Sequence, residues 1–280
     1  MAAMETTVDD ALLDELLEVA RTIALEAGVM IRTGRPREVE VAATKSSAQD
    51  VVTAMDLAVE GHLRARLTEL RPQDGVLGEE GGSSSGSSGV TWVVDPVDGT
   101  VNYLYGLPSY SVSVAAVVGP PDPSGWTVLV GCVHAPSDGR TFLAARGRGA
   151  TLDGEPIRVR RAPSLIDSLV GTGFGYRVER RRAQARVLAE VLPRVRDIRR
   201  IGSAALDLCT VASGGLDLYY ERGLSPWDLA AGQLVAMEAG ALVTGLEGRP
   251  AGTEMTVAGH PDRHAELAAL LAAHRADTDE

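Results

Sequence analysis

Apolar residues recur at intervals of three and four between residues 9 and 32, placing Leu12, Leu16, Val19, Ile23, Ala27 and Met30 on one face of a predicted helix. Met55, Val59, Leu63, Leu67 and Leu70 repeat that spacing in a second helix, with Thr53 near its start as a cap. The texture then changes to short apolar runs punctuated by Gly and Pro, which predict strands at 76–79, 91–95, 111–118, 126–133 and 141–145. From about residue 160 helices at 180–192, 203–213, 227–239 and 262–274 alternate with strands near Leu169, 216–220, Leu242 and Thr256. The expected organisation is an α+β half, residues 1–160, followed by an α/β half, residues 161–280, the two forming one compact unit without internal repeats. Residues 81–89 are Gly and Ser throughout and read as a flexible exposed loop, since nothing in them can pack.

Composition narrows the class. A chain of 280 residues with 45% hydrophobic content and a mean hydropathy of +0.02 can bury a large core. No stretch approaches the roughly 18 apolar residues of a membrane span. The segment from Met1 to Asp10 is acidic and lacks the basic and apolar regions of a signal peptide, so a cytoplasmic location away from membranes is expected. A net charge of −11 argues against a nucleic-acid or anionic-membrane surface. The Arg-rich stretch from Arg177 to Arg200 is the exception, and it reads as a solvated helix face with Arg186 and Arg194 outward. Lys45 is the only lysine. Cys132 and Cys209 form no CxxC and are expected to be buried free thiols.

The candidate chemistry centres on Asp95-Pro96-Val97-Asp98-Gly99-Thr100, at the end of the predicted strand 91–95. Pro96 fixes its own φ and Gly99 permits a tight turn, so the hexapeptide reads as a rigid turn with both acids facing one point. Asp, Pro and Gly also populate ordinary turns, and the segment alone leaves both readings open. A helix-loop-helix calcium loop does not fit, because Val97 and Gly99 stand at its third and fifth positions. Glu79 leaves another predicted strand end, while Asp228, after Pro226, lies in the first turn of a helix, where the dipole favours a carboxylate. If Glu79, Asp95, Asp98 and Asp228 meet, each like-charge pair near 4 Å costs about 4 kcal/mol at an effective dielectric of 20. Bound cations would offset that cost. Oxygen-only ligands point to magnesium or manganese rather than zinc.

Gly78-Glu79-Glu80, the 95–100 hexapeptide and Trp227-Asp228-Leu229-Ala230-Ala231-Gly232 together resemble the inositol monophosphatase family of magnesium-dependent, lithium-sensitive sugar phosphatases. Lys45-Ser46-Ser47 followed by Asp50-Val51-Val52-Thr53 and Asp56, Gly202-Ser203-Ala204-Ala205, and Tyr219-Tyr220-Glu221 extend the resemblance over nearly the whole chain. Gly171-Thr172-Gly173-Phe174-Gly175-Tyr176 and the 197–205 segment resemble the actinobacterial branch of inositol-1-monophosphatases. The resemblance implies a layered α-β-α-β-α sandwich of the inositol monophosphatase and fructose-1,6-bisphosphatase type. It also implies hydrolysis of myo-inositol monophosphate by metal-activated water. Glu79, Asp95, the Val97 carbonyl and Thr100 would surround one Mg2+; Asp95, Asp98 and Asp228 would hold a second; Glu79 would help hold a weaker third. Mn2+ would substitute and Li+ inhibit. Asp56 and Thr100, with Glu79, would prepare the attacking water. The amides of Gly99 and Thr100 would hold the phosphate, and Gly202, Ser203, Ala204, Ala205, Glu221 and Asp228 would contact the substrate. Lys45 would lie on a mobile active-site loop, although a solvated surface lysine fits the residue equally. Departures at the Ser/Gly loop and at Ser225-Pro226 leave substrate range open. The alternatives are a phosphatase for fructose 1,6-bisphosphate, histidinol phosphate or 3′-phosphoadenosine 5′-phosphate, or a non-catalytic regulatory homologue. A small sugar phosphate is the expected partner, and a homodimer the expected assembly.

Overall fold

The computed structural model describes residues 9–36, 38–45 and 51–279; Ser46, Ser47 and Asp50 of the sequence motif, and the segment before Asp9, lie outside the described residues. Helix α1 (Asp10–Gly34) begins where the Asp9 carboxylate accepts the Ala11 amide at 3.1 Å. Its buried stripe is Leu13, Leu16, Ala20, Ile23, Ala27 and Ile31, so the predicted face is rotated slightly and Leu12, Val19 and Met30 flank it. A two-stranded ribbon, β1 (Val41–Thr44) with β2 (Val51–Thr53), leads into α2 (Ala54–Leu70), capped by Thr53 as expected.

The chain then builds an eight-stranded sheet from β3 (Gly75–Gly78), β4 (Gly82–Ser84), β5 (Val90–Asp98), β6 (Ser111–Val118), β7 (Thr127–His134), β8 (Thr141–Ala145), β9 (Ala150–Leu152) and β10 (Glu155–Pro156). Its order is β10-β9-β8-β7-β6-β5-β3-β4, with a short α3 (Thr100–Tyr105) between β5 and β6. The Gly/Ser segment is exposed as expected, but it does find partners. Three of its residues form edge strand β4, and the amides of Ser87 and Ser88 donate to the Gln73 carbonyl at 2.7 and 3.0 Å. Small residues without apolar surface still satisfy a sheet edge through their backbones.

A second, five-stranded sheet follows, in the order β12-β11-β13-β15-β14: β11 (Leu169–Thr172), β12 (Asp197–Arg199), β13 (Leu218–Glu221), β14 (Leu242–Thr244) and β15 (Thr256–Gly259). The helices are α4 (Val178–Val191), α5 (Ala204–Ala212), α6 (Pro226–Glu238) and α7 (Pro261–Ala273). Three apolar clusters define the layers. One lies between α1 and α2 and the large sheet, around Leu16, Leu63, Trp92 and Leu129. A central one joins both sheets through α5 and α6, around Val93, Leu208, Tyr219 and Leu234. The third lies between the small sheet and α4 and α7, around Val170, Val187, Leu218 and Leu267. The architecture is therefore the α-β-α-β-α sandwich expected.

Small residues set the spacing of the central layer. A Cβ on Gly131 of β7 would lie 2.9 Å from the Ala231 carbonyl of α6, and one on Gly232 would lie 3.0 Å from Leu208 of α5. The Ala-Ala-Gly run after Asp228 thus lets α6 approach both the sheet and α5. Cys132 and Cys209 are buried and free, and burial pushes the Cys132 thiol up to about 12. No helix among the described residues is long and apolar enough to cross a membrane.

Candidate active site

Asp95 and Asp98 are three residues apart on one strand, yet side chains on a strand alternate with period two. The structure resolves this with a bulge. Asp95 pairs with Ser113 and Asp98 with Ser111, so one extra residue is accommodated between them. Trp92 and Val94 face the outer core and Val93 the central one; after the bulge Val97 again faces outward. Asp95 and Asp98 consequently point to the same, inner side. Pro96 occupies the bulge, where its missing N–H leaves no ladder bond broken. The segment is thus strand through Asp98, not the turn expected, and the turn is confined to Gly99.

Gly99 adopts φ 101°, and a Cβ there would meet the Ser109 carbonyl at 2.9 Å and the Gly202 carbonyl at 3.1 Å. Gly99→Ala is therefore expected to lower stability by about 2 kcal/mol. A thermal melt should show this as a fall of roughly 4–8 °C; an unchanged melting temperature would mean that the turn relaxes freely.

Two helix starts converge on the bulge. Asp98 accepts from the Ser203 hydroxyl at 2.6 Å and the Ala205 amide at 2.8 Å, with the Ala204 amide at 3.3 Å, and so anchors the first turn of α5. Asp228 stands in the first turn of α6, where it accepts the Ser225 amide at 2.7 Å. Asp95, Asp98 and Asp228 each present an oxygen within 4.8 Å of the others. Burial, followed by mutual repulsion, raises Asp95 and Asp228 well above the usual carboxylate range. Burial raises Asp98 too, against the hydrogen bonds of Ser203, Ala205 and Ala204. Three oxygen donors, two buried and one partly buried, whose charges oppose one another fit a hard divalent cation.

Glu79 follows β3 and stands beside Asp95. Its carboxyl is raised to about 7 by burial, and Lys45 opposes that rise. The Lys45 Nζ donates to Glu79 Oε1 and Glu80 Oε1, both at 2.7 Å, so Lys45, although still exposed, pairs with the acidic turn. Sequence reasoning missed Glu60. This nearly buried α2 residue accepts the amides of Glu80 and Gly81 at 2.7 Å each, and a Cβ on Gly78 would meet it at 2.5 Å. The available signal was an acidic pair four apart, Asp56 and Glu60, beside the apolar stripe of α2.

Asp56 itself is fully buried. Its Oδ2 accepts the Thr53 amide at 2.8 Å and also the Thr53 hydroxyl, and its Oδ1 lies 2.8 Å from the Thr100 hydroxyl. Thr100 Oγ1 is also 3.0 Å from the Val97 carbonyl, so its single proton serves one acceptor at a time.

A cavity of about 400 Å³ opens over these groups, lined by Lys45, Glu79, Asp95, Val97, Asp98, Gly99, Thr100, Gly202, Ser203, Ala204, Glu221 and Asp228 among others. Two of the sequence candidates do not line it: Asp56 sits behind Thr100, and Ala205 is buried with its amide engaged by Asp98. The stretch from Arg177 to Arg200 departs from the expectation in part. Arg186 and Arg194 are exposed, but helix α4 ends at Val191, β12 follows it, and Arg177, Arg180 and Arg200 line the cavity. Arg200 opposes the burial-driven rise of Asp98 and Glu221 and so favours their charged forms. The parallel pairing of β12 with β11 turns the end of this stretch toward the site, which a helical periodicity could not show.

The layer order and the acidic cluster of Asp95, Asp98 and Asp228 fit a metal-dependent phosphatase. The chain belongs to the inositol monophosphatase family, whose sequence profile matches residues 12–279. A Mycobacterium bovis protein named inositol-1-monophosphatase is 46% identical over 276 residues, which span 91% of this chain and 93% of that one. The solved structure of Mycobacterium tuberculosis SuhB superposes with a TM-score of 0.78 at 43% identity, covering 95% of this chain and 98% of that one. A Pasteurella multocida protein named Nus factor SuhB is 37% identical over 238 residues, 84% of this chain and 87% of that one.

Proposed function

We propose that this protein hydrolyses myo-inositol monophosphate to myo-inositol and phosphate in a magnesium-dependent reaction. The observation that carries the reading is the convergence of Asp95, Asp98 and Asp228 in a cavity that Glu221 also lines. Glu79, Asp95, the Val97 carbonyl, Asp98 and Asp228 would hold two to three Mg2+ ions, with Mn2+ able to substitute and Li+ inhibitory. Bound magnesium supplies positive charge beside the phosphate and the leaving oxygen.

The protein's own groups orient the rest. Gly99 and Thr100, at the start of α3, line the cavity, and their amides would donate to phosphate oxygens. When the Thr100 hydroxyl donates to Asp56, its oxygen is free to accept from an attacking water, and Asp56 stands ready to take the proton passed through it. The alcohol portion of the substrate lies toward Gly202, Ser203, Ala204 and Glu221, where a carboxylate accepts ring hydroxyls. The mycobacterial relative named inositol-1-monophosphatase supports that choice of alcohol. We further propose a homodimer in the cytoplasm as the working form.

Glu221→Gln tests the alcohol site. We expect a rise in KM for inositol 1-phosphate of about tenfold, from one weakened hydrogen bond to a charged group, with the magnesium concentration for half-maximal rate unchanged. Equal damage to KM and to magnesium activation would contradict the assignment.

A further inference from the structure

The Gly171-Thr172-Gly173 segment has no part in the chemistry above, yet its two glycines are the places where a side chain could not fit. Strand β11 runs parallel to β13 with Gly171 beside Tyr219 and Thr172 beside Tyr220, so Gly173 comes next to Glu221. Residues two apart share a face, so the two glycines lie on one side of the strand, Gly171 against Leu216, Asp207 and Tyr219 and Gly173 against Glu221. A Cβ on Gly173 would lie 1.9 Å from Glu221 Oε2 and 2.2 Å from Oε1; one on Gly171 would lie 2.8 Å from Asp207 Oδ1 and 3.3 Å from the Tyr219 ring. The Tyr219 hydroxyl donates to Glu221 Oε2 at 2.6 Å. Asp207, on α5, is 1% exposed, its Oδ1 has no hydrogen-bond partner, and the Gly202 amide points to its carboxylate.

We propose that Gly171, Gly173, Asp207 and Tyr219 form a buried seat that fixes the Glu221 carboxylate relative to the Gly202 turn, making Tyr219 and Asp207 positioning residues that set selectivity for polyol phosphates. This rests on the functional reading given above. With Oε2 held by Tyr219, rotation of the Glu221 carboxylate is restrained, and its other oxygen is presented to hydroxyl groups in one orientation. Burial, then the charge of Glu221, keeps the Tyr219 phenol protonated, so it remains a donor at every working pH. Asp207 supports the second half of the pair by holding the Gly202 amide at the opposite edge of the alcohol site.

The test compares inositol 1-phosphate with p-nitrophenyl phosphate, which lacks ring hydroxyls, in wild type, Tyr219→Phe, Glu221→Gln and the double variant. Asp207→Ala and Asp207→Asn form a parallel pair. We expect Tyr219→Phe to raise KM for inositol 1-phosphate about tenfold, with kcat and all p-nitrophenyl phosphate constants within about twofold. The double variant should be no worse than Glu221→Gln alone, because coupled residues do not add. Asp207→Ala should show the same split, and Asp207→Asn, which keeps an acceptor for Gly202, should restore most of it. Equal losses on both substrates, or additive losses in the double variant, would overturn the seat while leaving inositol phosphate as the substrate. Magnesium-dependent turnover of p-nitrophenyl phosphate with none of inositol 1-phosphate by wild type would overturn the functional reading, and the seat with it.

Discussion

Asp95→Asn is expected to lower phosphate release about 1,000-fold or more, a loss of roughly 4 kcal/mol of transition-state stabilisation, while the metal-free protein becomes more stable. Both halves follow from one geometry. Asp95 is buried, and Glu79, Asp98 and Asp228 all repel its charge. A neutral amide of the same shape relieves that repulsion but removes the central donor of the cluster. Phosphate release under saturating magnesium, paired with thermal melts with and without it, checks the two effects together. Near wild-type turnover, or a variant still stabilised by magnesium as strongly as the parent, would exclude Asp95 as a ligand.

Chelation should abolish turnover, and the stabilisation that magnesium restores should depend on pH with a definite sign. Glu79 is raised from 4.5 to about 7 by burial. A carboxyl raised in this way favours the folded state below its unfolded value, and that contribution is lost as pH rises through about 7. A cation requires the deprotonated form, so below about 7 binding must also release protons. The magnesium-induced rise in melting temperature should therefore grow between pH 6 and pH 8 and level off above. Burial lowers His134 and His264, which shifts stability in the opposite sense over part of this range. They lie away from the cluster and cancel in the difference. An equal magnesium effect at pH 6 and pH 8 would show that the buried carboxyls carry no protons to release.

What could be read before the structure follows from the range of each interaction. The apolar stripes of α1 and α2 and the longer strands are local patterns, and their observed bounds lie within a few residues of those expected. Asp95, Asp98, Glu79 and Asp228 were legible because strand ends and helix starts leave signatures in Pro, Gly and acid placement. The bulge was not, since it depends on the register of β5 against β6, set by residues more than ten positions away. Helix α3 escaped notice because its six residues open on Gly99 without a side-chain cap. Glu60 and Asp207 were hidden for another reason: a buried acid on a helix resembles a surface acid until its partners, the amides at 80–81 and the Gly202 turn, are brought to it by the fold. Arg200 remains exposed, and its place at the cavity follows only from the pairing of β12 with β11.

The alcohol released is the point on which the functional reading stands. Purified protein should be given inositol 1-phosphate, fructose 1,6-bisphosphate and histidinol phosphate at equal concentration, with magnesium and after chelation, and phosphate release measured side by side. We expect magnesium-dependent release from all that are cleaved, with kcat/KM highest for inositol 1-phosphate; a higher value for either other substrate, or no magnesium-dependent release from any of them, would contradict it.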